Sequence, residues 1–354
     1  MKRRNFFSTL SLAAIVATGA TLAGCSKQQP AAGAGSSAAA SAATANADVI
    51  KIGVFEPLTG ANGAGGNDEL EGIKLANKLY PTILGKKVEL VVVDNKSDKV
   101  EAANAAMVLA QKEKVNAVLG SWGSSLSMAG GPIFAEAKIP AVAVSATNPN
   151  VTKGNEHYFR VCFLDPFQGT VGATYAFNTL KAKKVAIIRE VSNDYSVGLA
   201  KFFVDQFTKL TGDAQAVVAT ADYNTGDQDF TAQLTELISK KPDIVFMPAY
   251  FAEGAIIMKQ ARELGAKFRL MGADAMDNPD TLKLGGKAAE GFLHTTFPYD
   301  PAMPNMSPAA KRFTEAWKAA YPDKETNVNG ALGYNTYFLI LDAIKRANSS
   351  DPKA

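Results

Sequence analysis

A short apolar strand, a turn and the start of a helix follow one another in Ala117-Val118-Leu119-Gly120-Ser121-Trp122-Gly123-Ser124-Ser125. The next strand, predicted at 141–145, ends in a similar hydroxyl-rich turn, Ser145-Ala146-Thr147-Asn148-Pro149. Short continuous apolar runs are typical of strands that are buried on both faces of a parallel sheet. In open sheets of this kind, ligands bind beyond the carboxyl ends of the strands. The two turns therefore predict one binding site at one edge of one sheet.

Strand and helix patterns alternate in the same way along the rest of the chain from residue 48 onward. The other predicted strands lie at 49–55, 88–93, 184–189, 216–218, 244–247 and 268–271. The predicted helices lie at 68–80, 99–112, 125–137, 169–180, 197–210, 229–239, 252–264 and 332–347. This alternation predicts an α/β fold of two doubly wound parallel-sheet lobes joined by a hinge. We expect an amino-terminal lobe of residues 48–165 and 298–354 and a carboxy-terminal lobe of residues 166–297.

The amino-terminal segment has the layout of an export signal. Basic residues at 2–4 precede an apolar run that ends in Leu22-Ala23-Gly24-Cys25, which resembles a bacterial lipobox. This layout is typical of a cleaved secretory signal, so we predict a lipoprotein signal peptide at 1–24 and a lipid on Cys25. Residues 25–47 are too poor in apolar side chains to fold and predict a flexible tether. We expect a periplasmic or cell-surface protein anchored by lipid to a bacterial membrane. A membrane-spanning anchor is the alternative, and twin-arginine export stays open.

Composition argues against several classes of function. The chain has 37 basic and 34 acidic residues, and the predicted signal peptide holds three of the basic ones, so the mature part is formally neutral. Nucleic-acid-binding proteins usually carry a basic face, and we expect no nucleic-acid partner. Cys162 is the only cysteine besides Cys25 and is predicted to be a buried, inert thiol on a strand. Since His157 and His294 are far apart and no cluster has metal-site spacing, we expect no metal and no cofactor.

The glycine- and serine-rich turns lack the spacing of nucleotide-binding and catalytic motifs. Residues 60–66 follow the first strand but contain no G-x-G-x-x-G, so we interpret them as a flexible turn near a ligand cleft. Residues 120–125 contain no G-x-S-x-G, which a nucleophile elbow requires. Hydroxyl and N–H groups at the start of a helix suit a ligand carboxylate instead. Simple capping of that helix by Ser124 is the alternative.

An ordered set of motifs resembles the branched-chain amino-acid-binding family of periplasmic receptors. The motifs are Val118-Leu119-Gly120, Ser124-Ser125, Ile139-Pro140, Ser145 to Pro149, Asp194-Tyr195, Asp229-Phe230, Lys241-Pro242-Asp243, Lys259 to Gly265 and Glu290-Gly291. The resemblance runs from about Ile50 to Ala347. It implies a type I two-lobe binding protein of an ABC transporter. Such a protein is a monomer and is not an enzyme. It closes on an amino acid and presents it to a membrane permease.

The resemblance also implies which groups hold the two charged ends of the ligand. It assigns the carboxylate to Ser124, Thr147 and the main chain at Ser145 and Ala146, and the ammonium to Asp274. The residue types agree with these roles, because a zwitterion needs donors at one end and a carboxylate at the other.

Three aromatic side chains complete the expected site. Tyr195 and Tyr250 match positions that cover the ligand in the family, and Trp122 lies beside the expected carboxylate site. Ring faces supply packing and cation–π contact to an amino acid. For Tyr250, core packing is the alternative, and for Asp274 the alternative is a turn that caps the next helix.

Departures from the family pattern bear on the identity of the ligand. Residues 60–66 contain no aromatic, and Asn329 stands where a late pocket aromatic is expected. A side chain larger or more polar than that of leucine, isoleucine or valine is therefore an open alternative. The chain also ends sooner after residue 347 than the resemblance implies, so we expect the last segment of the second lobe to be missing. The rival functions are a receptor for amides, urea-like compounds or aromatic acids, and a secreted hydrolase that uses Ser124 or Ser125.

Overall fold

The computed structural model describes residues 49–354. The predicted signal peptide at 1–24, the lipidation site Cys25 and the predicted tether at 25–47 lie outside the described residues. Within the described part, no helix combines the length and the apolar character needed to cross a bilayer.

Six strands of residues 49–160 form the first sheet. They are β1 (Val49–Glu56), β2 (Thr82–Ile83), β3 (Lys86–Asp94), β4 (Ala117–Leu119), β5 (Ala141–Ala143) and β6 (Tyr158–Arg160). Their spatial order is β2-β3-β1-β4-β5-β6, and every neighbouring pair is parallel except β2 with β3. Helices α1 (Gly63–Leu79), α2 (Lys99–Met107) and α3 (Ser124–Ala137) connect the strands. A π-helical turn at Val108–Glu113 continues α2.

Five strands within residues 185–294 form the second sheet, and all of their neighbouring pairs are parallel. The elements of this part are α4 (Asp165–Asn178), β7 (Val185–Glu190), α5 (Asp194–Thr211), β8 (Val217–Tyr223), α6 (Thr231–Lys240), β9 (Ile244–Phe246), α7 (Phe251–Glu263), β10 (Arg269–Gly272), α8 (Pro279–Gly285) and β11 (Leu293–His294). The strand order is β11-β10-β9-β7-β8. We call this sheet with α4–α8 the second lobe.

The last two helices return to the first sheet. They are α9 (Pro308–Ala320) and α10 (Val328–Ala347), and α10 packs along α1. The contact is close because it is lined by glycine: a Cβ at Gly333 would lie 2.2 Å from the Glu69 carbonyl oxygen. Trp317 of α9 and Tyr337 of α10 are fully buried in one core with Ile52 of β1. The first sheet, α1–α3, α9 and α10 together form what we call the first lobe.

Both faces of the first sheet are buried, as its apolar strands predict. Ile50 and Ile52 point into the core beneath α1 and α10, whereas Phe55 and Val118 point into a separate core with Phe134 of α3. Burial on both faces is the usual state of a parallel sheet in an α/β protein. The prediction of two parallel-sheet α/β lobes is confirmed.

Three helices begin at least four residues earlier than the sequence predicted. Helix α1 starts at Gly63 rather than Asp68, so the interpretation of the whole stretch 60–66 as a flexible turn is wrong. Its glycines permit close packing instead, since a Cβ at Gly65 would lie 2.5 Å from the Trp122 ring. Helix α4 starts at Asp165 rather than Gly169, with Pro166 in its first turn, where the missing N–H of proline costs nothing. Helix α10 starts at Val328 rather than 332.

Candidate functional site

A small cavity lies between the two lobes, at the carboxyl ends of strands from both sheets. It is lined by Trp122, Gly123, Ser124, Ser145, Thr147 and Asn329 of the first lobe and by Tyr195, Tyr250, Asp274 and Ala275 of the second. The polar and aromatic side chains among them are each at most 7% exposed, so the lobes close over the cavity. Seven of the eight ligand-binding residues predicted from the sequence therefore line one space.

Ala146 is the predicted residue that does not line the cavity. It lies beneath the floor at 1% exposure, where its carbonyl oxygen accepts hydrogen bonds from Arg160 Nη1 (2.7 Å) and from the Cys162 thiol (3.4 Å). Cys162 lies after β6 rather than on a strand, so its predicted placement on a strand is wrong, and it is only partly exposed. Burial raises the pKa of its thiol to about 12, which agrees with an inert cysteine. The carbonyl is thus already occupied by protein donors.

Hydroxyl groups and a helix N-terminus form one end of the cavity. Ser124 is the first residue of α3, and Gly123 occupies the cap position without a side-chain bond, so capping by Ser124 is wrong. The Ser124 hydroxyl oxygen instead accepts from the Asn148 backbone N–H (3.1 Å), which leaves its proton free to donate. Among the described residues, the Thr147 hydroxyl has no hydrogen-bond partner, although it is buried. Free hydroxyl donors and the positive end of a helix dipole suit an anion.

A buried acid, Asp274, forms the opposite end. Its Oδ1 atom accepts hydrogen bonds from Tyr195 Oη (2.8 Å) and Gln168 Nε2 (2.7 Å). Gln168 Oε1 in turn accepts from the Asp274 backbone N–H (2.9 Å), so the amide fixes the turn and the carboxylate together. Burial raises the pKa of Asp274 to about 6, against the opposing effect of these two donors. The next helix, α8, is capped by Asn278, so the capping alternative for Asp274 is wrong.

Aromatic rings from both lobes line the space between these ends. The Tyr195 and Tyr250 rings lie 5.7 Å apart and nearly parallel, and the Tyr250 ring lies 4.6 Å from the Trp122 ring across the cleft. Tyr250 packs in a core cluster and also lines the cavity, so its core packing is observed and its contact with a ligand stays a prediction. Parallel rings at this spacing provide flat apolar walls for a small ligand.

Direct hydrogen bonds join the lobes beside the cavity, and they converge on Asp194 at the start of α5. Its carboxylate accepts from Ser125 Oγ (2.7 Å) and from Lys99 Nζ (3.2 Å). Its backbone carbonyl accepts from Asn148 Nδ2 (2.8 Å). Since the ion pair with Lys99 is about half exposed, it adds little, and the hydrogen bonds from Ser125 and Asn148 contribute most of this contact.

Three buried acids near the cavity were not found from the sequence. Asp165 is fully buried, and burial together with the charge of Asp274 raises its pKa to about 8. Glu56 and Glu69 are also fully buried behind the hydroxyl end, and Glu56 Oε2 accepts from the Trp122 backbone N–H (2.5 Å). Burial raises the pKa of Glu69 to about 8. No sequence pattern indicated their burial, because acids on helices and at strand ends usually face solvent.

No constellation for hydrolysis or metal binding occurs among residues 49–354. Neither His157 nor His294 lines the cavity that holds Ser124. The described residues include no cluster of three metal-ligating side chains. The cavity has hydroxyl groups at one end and a carboxylate at the other.

The chain is similar to known proteins in sequence and in fold. A family model described as periplasmic binding protein matches residues 49–354. An amino acid binding protein of Pseudomonas aeruginosa is 31% identical over 317 residues, which are 86% of this chain and 80% of that protein. The crystal structure of the leucine binding protein LivK of Thermotoga maritima has a TM-score of 0.81 and 43% identity, covering 86% of this chain and 85% of that chain.

A further solved structure contains a ligand. It is the branched-chain amino acid transporter substrate binding protein LivJ of Streptococcus pneumoniae in complex with isoleucine. Its TM-score is 0.79 at 31% identity, and the match covers 86% of both chains.

Proposed function

The chain belongs to the periplasmic binding protein family, and we propose that it captures an amino acid for an ABC importer. It is a substrate-binding protein of a transporter and not an enzyme, and its family is periplasmic. The named amino-acid ligands of its relatives support the class of ligand. The partner that we propose is the membrane permease of the importer, to which the closed protein presents its ligand.

The observation that carries this proposal is the division of one closed cavity into a donor end and an acid end. The hydroxyl groups of Ser124, Ser145 and Thr147, with the N-terminus of α3, would hold the ligand carboxylate. Asp274 would hold the ammonium through its Oδ2 atom, because both protein donors bind Oδ1. Charge-assisted hydrogen bonds of this kind are about twice as strong as neutral ones.

The aromatic residues of the cavity support a ligand that has an apolar part. The rings of Trp122, Tyr195 and Tyr250 would enclose the apolar part of the ligand between the two charged ends.

We further propose that the receptor works as a monomer held to the membrane by a lipid on Cys25. The sequence Leu22-Ala23-Gly24-Cys25 supports the anchor, and the polar stretch at 25–47 would give it reach. Two acyl chains are enough for stable attachment, where one would be marginal. The proposed lobes are 48–165 with 298–354, and 166–297.

A thermal-shift screen of the twenty amino acids tests the proposed function. A ligand at a hundred times its Kd adds roughly 2.7 kcal/mol to the free energy of unfolding, which is easily detected. The matched controls are the N-acetyl derivative and the amide of the best ligand, each of which lacks one charge. We expect both to bind much more weakly than the parent amino acid. Stabilisation by a neutral amide or an aromatic acid, and by none of the amino acids, would contradict the proposal in favour of the rival receptor.

A further inference from the structure

The cavity has a third polar wall, which neither charged end of the proposed ligand uses. This wall is the side chain of Asn329, which lies in the first turn of α10 and lines the cavity. The carboxylate end is formed by the turns after β4 and β5, and the ammonium end by the turn after β10. Asn329 belongs to a different element, so it faces the remaining part of the ligand, its side chain.

The Asn329 amide borders the cavity. The residue is only 6% exposed, and among the described residues its side-chain oxygen and nitrogen have no protein partner. Because these atoms are open to the cavity, a ligand that fills the cavity without bonding to them would leave them desolvated, at a cost of about 1–3 kcal/mol. Neighbouring buried asparagines show the usual alternative, since Asn327 caps α10 and Asn148 caps the turn after β5. The unpaired amide therefore points to a hydrogen-bonding group on the ligand.

The surroundings of Asn329 are polar rather than apolar. Gly333, one turn further along α10, lies against Glu69 of α1. Glu69 is fully buried next to the Ser145 hydroxyl, which lines the cavity. Burial raises the pKa of this acid, and hydrogen bonding to the Ser145 hydroxyl opposes that larger effect. An apolar ligand side chain in this corner would leave the Asn329 amide unpaired.

The charged residues that line the cavity restrict the class of ligand side chain further. No lysine, arginine or histidine of the described chain lines the cavity, so an acidic ligand side chain would lack a counter-ion. Asp274 is the only acid that lines it, and the proposed ammonium already uses that carboxylate.

We propose that Asn329 selects amino acids with an uncharged, hydrogen-bonding side chain, such as threonine, serine or asparagine, over leucine, isoleucine and valine. This inference rests on the proposed function, because it takes the ligand to be an amino acid. A site built to hydrogen-bond its ligand rejects an analogue of the same shape that lacks the bonding group, because the protein group is then left unpaired.

Pairs of ligands with the same shape test the inference directly. Threonine and valine differ by a hydroxyl in place of a methyl, and asparagine and leucine by an amide in place of two methyls. We expect the purified receptor to bind the polar member of at least one pair about tenfold more tightly in calorimetric titration, as one net hydrogen bond implies. Asn329→Leu should abolish or reverse this ratio of affinities. If that variant does not fold, Asn329→Asp, which keeps the shape and one acceptor, is the second variant.

The matched control is Asn155→Leu. Asn155 bonds to Gly131 and His157 outside the cavity, so its loss lowers stability without changing the ratio of affinities. Tighter binding of valine and leucine than of their polar partners would overturn the inference and leave the proposed function intact. An unchanged ratio in a folded Asn329→Leu variant, or a preference for a charged side chain, would also overturn it. Failure of every amino acid to bind would overturn the proposed function together with the inference.

Discussion

Replacement of Asp274 by asparagine separates the proposed ammonium partner from a residue that only shapes the turn. Both protein donors to this side chain, Tyr195 Oη and Gln168 Nε2, bind the same oxygen, Oδ1. An asparagine can keep that oxygen in place and put its amide nitrogen where Oδ2 was. The variant therefore keeps the local hydrogen bonds and loses only the charge that faces the cavity.

The two expected effects of Asp274→Asn have opposite signs. Loss of a charged hydrogen bond costs roughly 1.5–3 kcal/mol, so affinity for the amino acid should fall roughly 10- to 150-fold. The free protein should become more stable at high pH. Because the folded pKa of Asp274 is about 6 and its ordinary value is 3.8, its stabilising contribution is complete below pH 3.8 and is lost as pH rises through 6. Two pKa units correspond to about 3 kcal/mol, which the variant should regain at pH 8 and not at pH 4.

Calorimetric titration between pH 4.5 and 8 measures both effects when it is combined with melting of the free protein. Below pH 6 the wild-type affinity should fall by up to about tenfold per pH unit, because binding must then displace a proton from Asp274. The variant should show no such slope. The control is Asp277→Asn: Asp277 accepts from Thr296 outside the cavity, and its loss should change affinity by no more than about twofold. Equal affinities and equal pH slopes in Asp274→Asn and wild type would refute the assignment of the ammonium.

Three further outcomes follow from the sequence and the fold. Cys25→Ala should abolish lipidation, and membrane fractionation with intact mass checks this; a mutant that still carries diacylglycerol would exclude Cys25 as the anchor. Ligand binding should shift tryptophan emission, because Trp122 contacts Tyr250 across the cleft. Trp122→Phe should remove the shift, and Trp317→Phe, in the first-lobe core, should keep it. The reverse pattern would place the ligand elsewhere. Glu69→Gln should raise the melting temperature at pH 9 and not at pH 5. The reason is that the pKa of Glu69 is raised to about 8, so its stabilising contribution is lost as pH rises through that value. Parallel curves of melting temperature against pH for the variant and the wild type would show that Glu69 is ionised at no cost.

The strand ends could be placed from sequence because their position depends on a local pattern. Each apolar run ends where a polar turn begins, and parallel strands bring their carboxyl ends to one edge. Ser124, Ser145 and Thr147 therefore meet in one lobe, and Asp274 faces them from the corresponding edge of the other. The position of the serine and threonine turns follows from the order of strands and helices, whereas the choice of Asp274 came from the family resemblance.

The parts that the sequence did not predict depend on contacts between distant segments. Helix α1 starts among glycines, which are poor helix formers, because Gly65 must lie against Trp122. Glu69 is buried only because α10, far along the chain, covers it. Asp165 is buried where the chain crosses between lobes, and nothing in its neighbours along the sequence indicates that. Local sequence patterns predict whether a segment is a helix or a strand from its periodicity. They do not predict which distant segment packs over it.

The hydroxyl end and the acid end of the cavity belong to different lobes. In the proposed binding mode, a carboxylic acid without an amine satisfies Ser124 and Thr147 but leaves Asp274 enclosed without a counter-ion when the lobes meet. An amine without a carboxylate leaves the hydroxyl end empty in the same way. Each of these ligands with a single charged group occupies one lobe and opposes the closure of the lobes that an amino acid drives. The cleft therefore closes only on a ligand that carries both charged groups. Ligands with one of the two groups act as competitive inhibitors of uptake rather than as poor substrates.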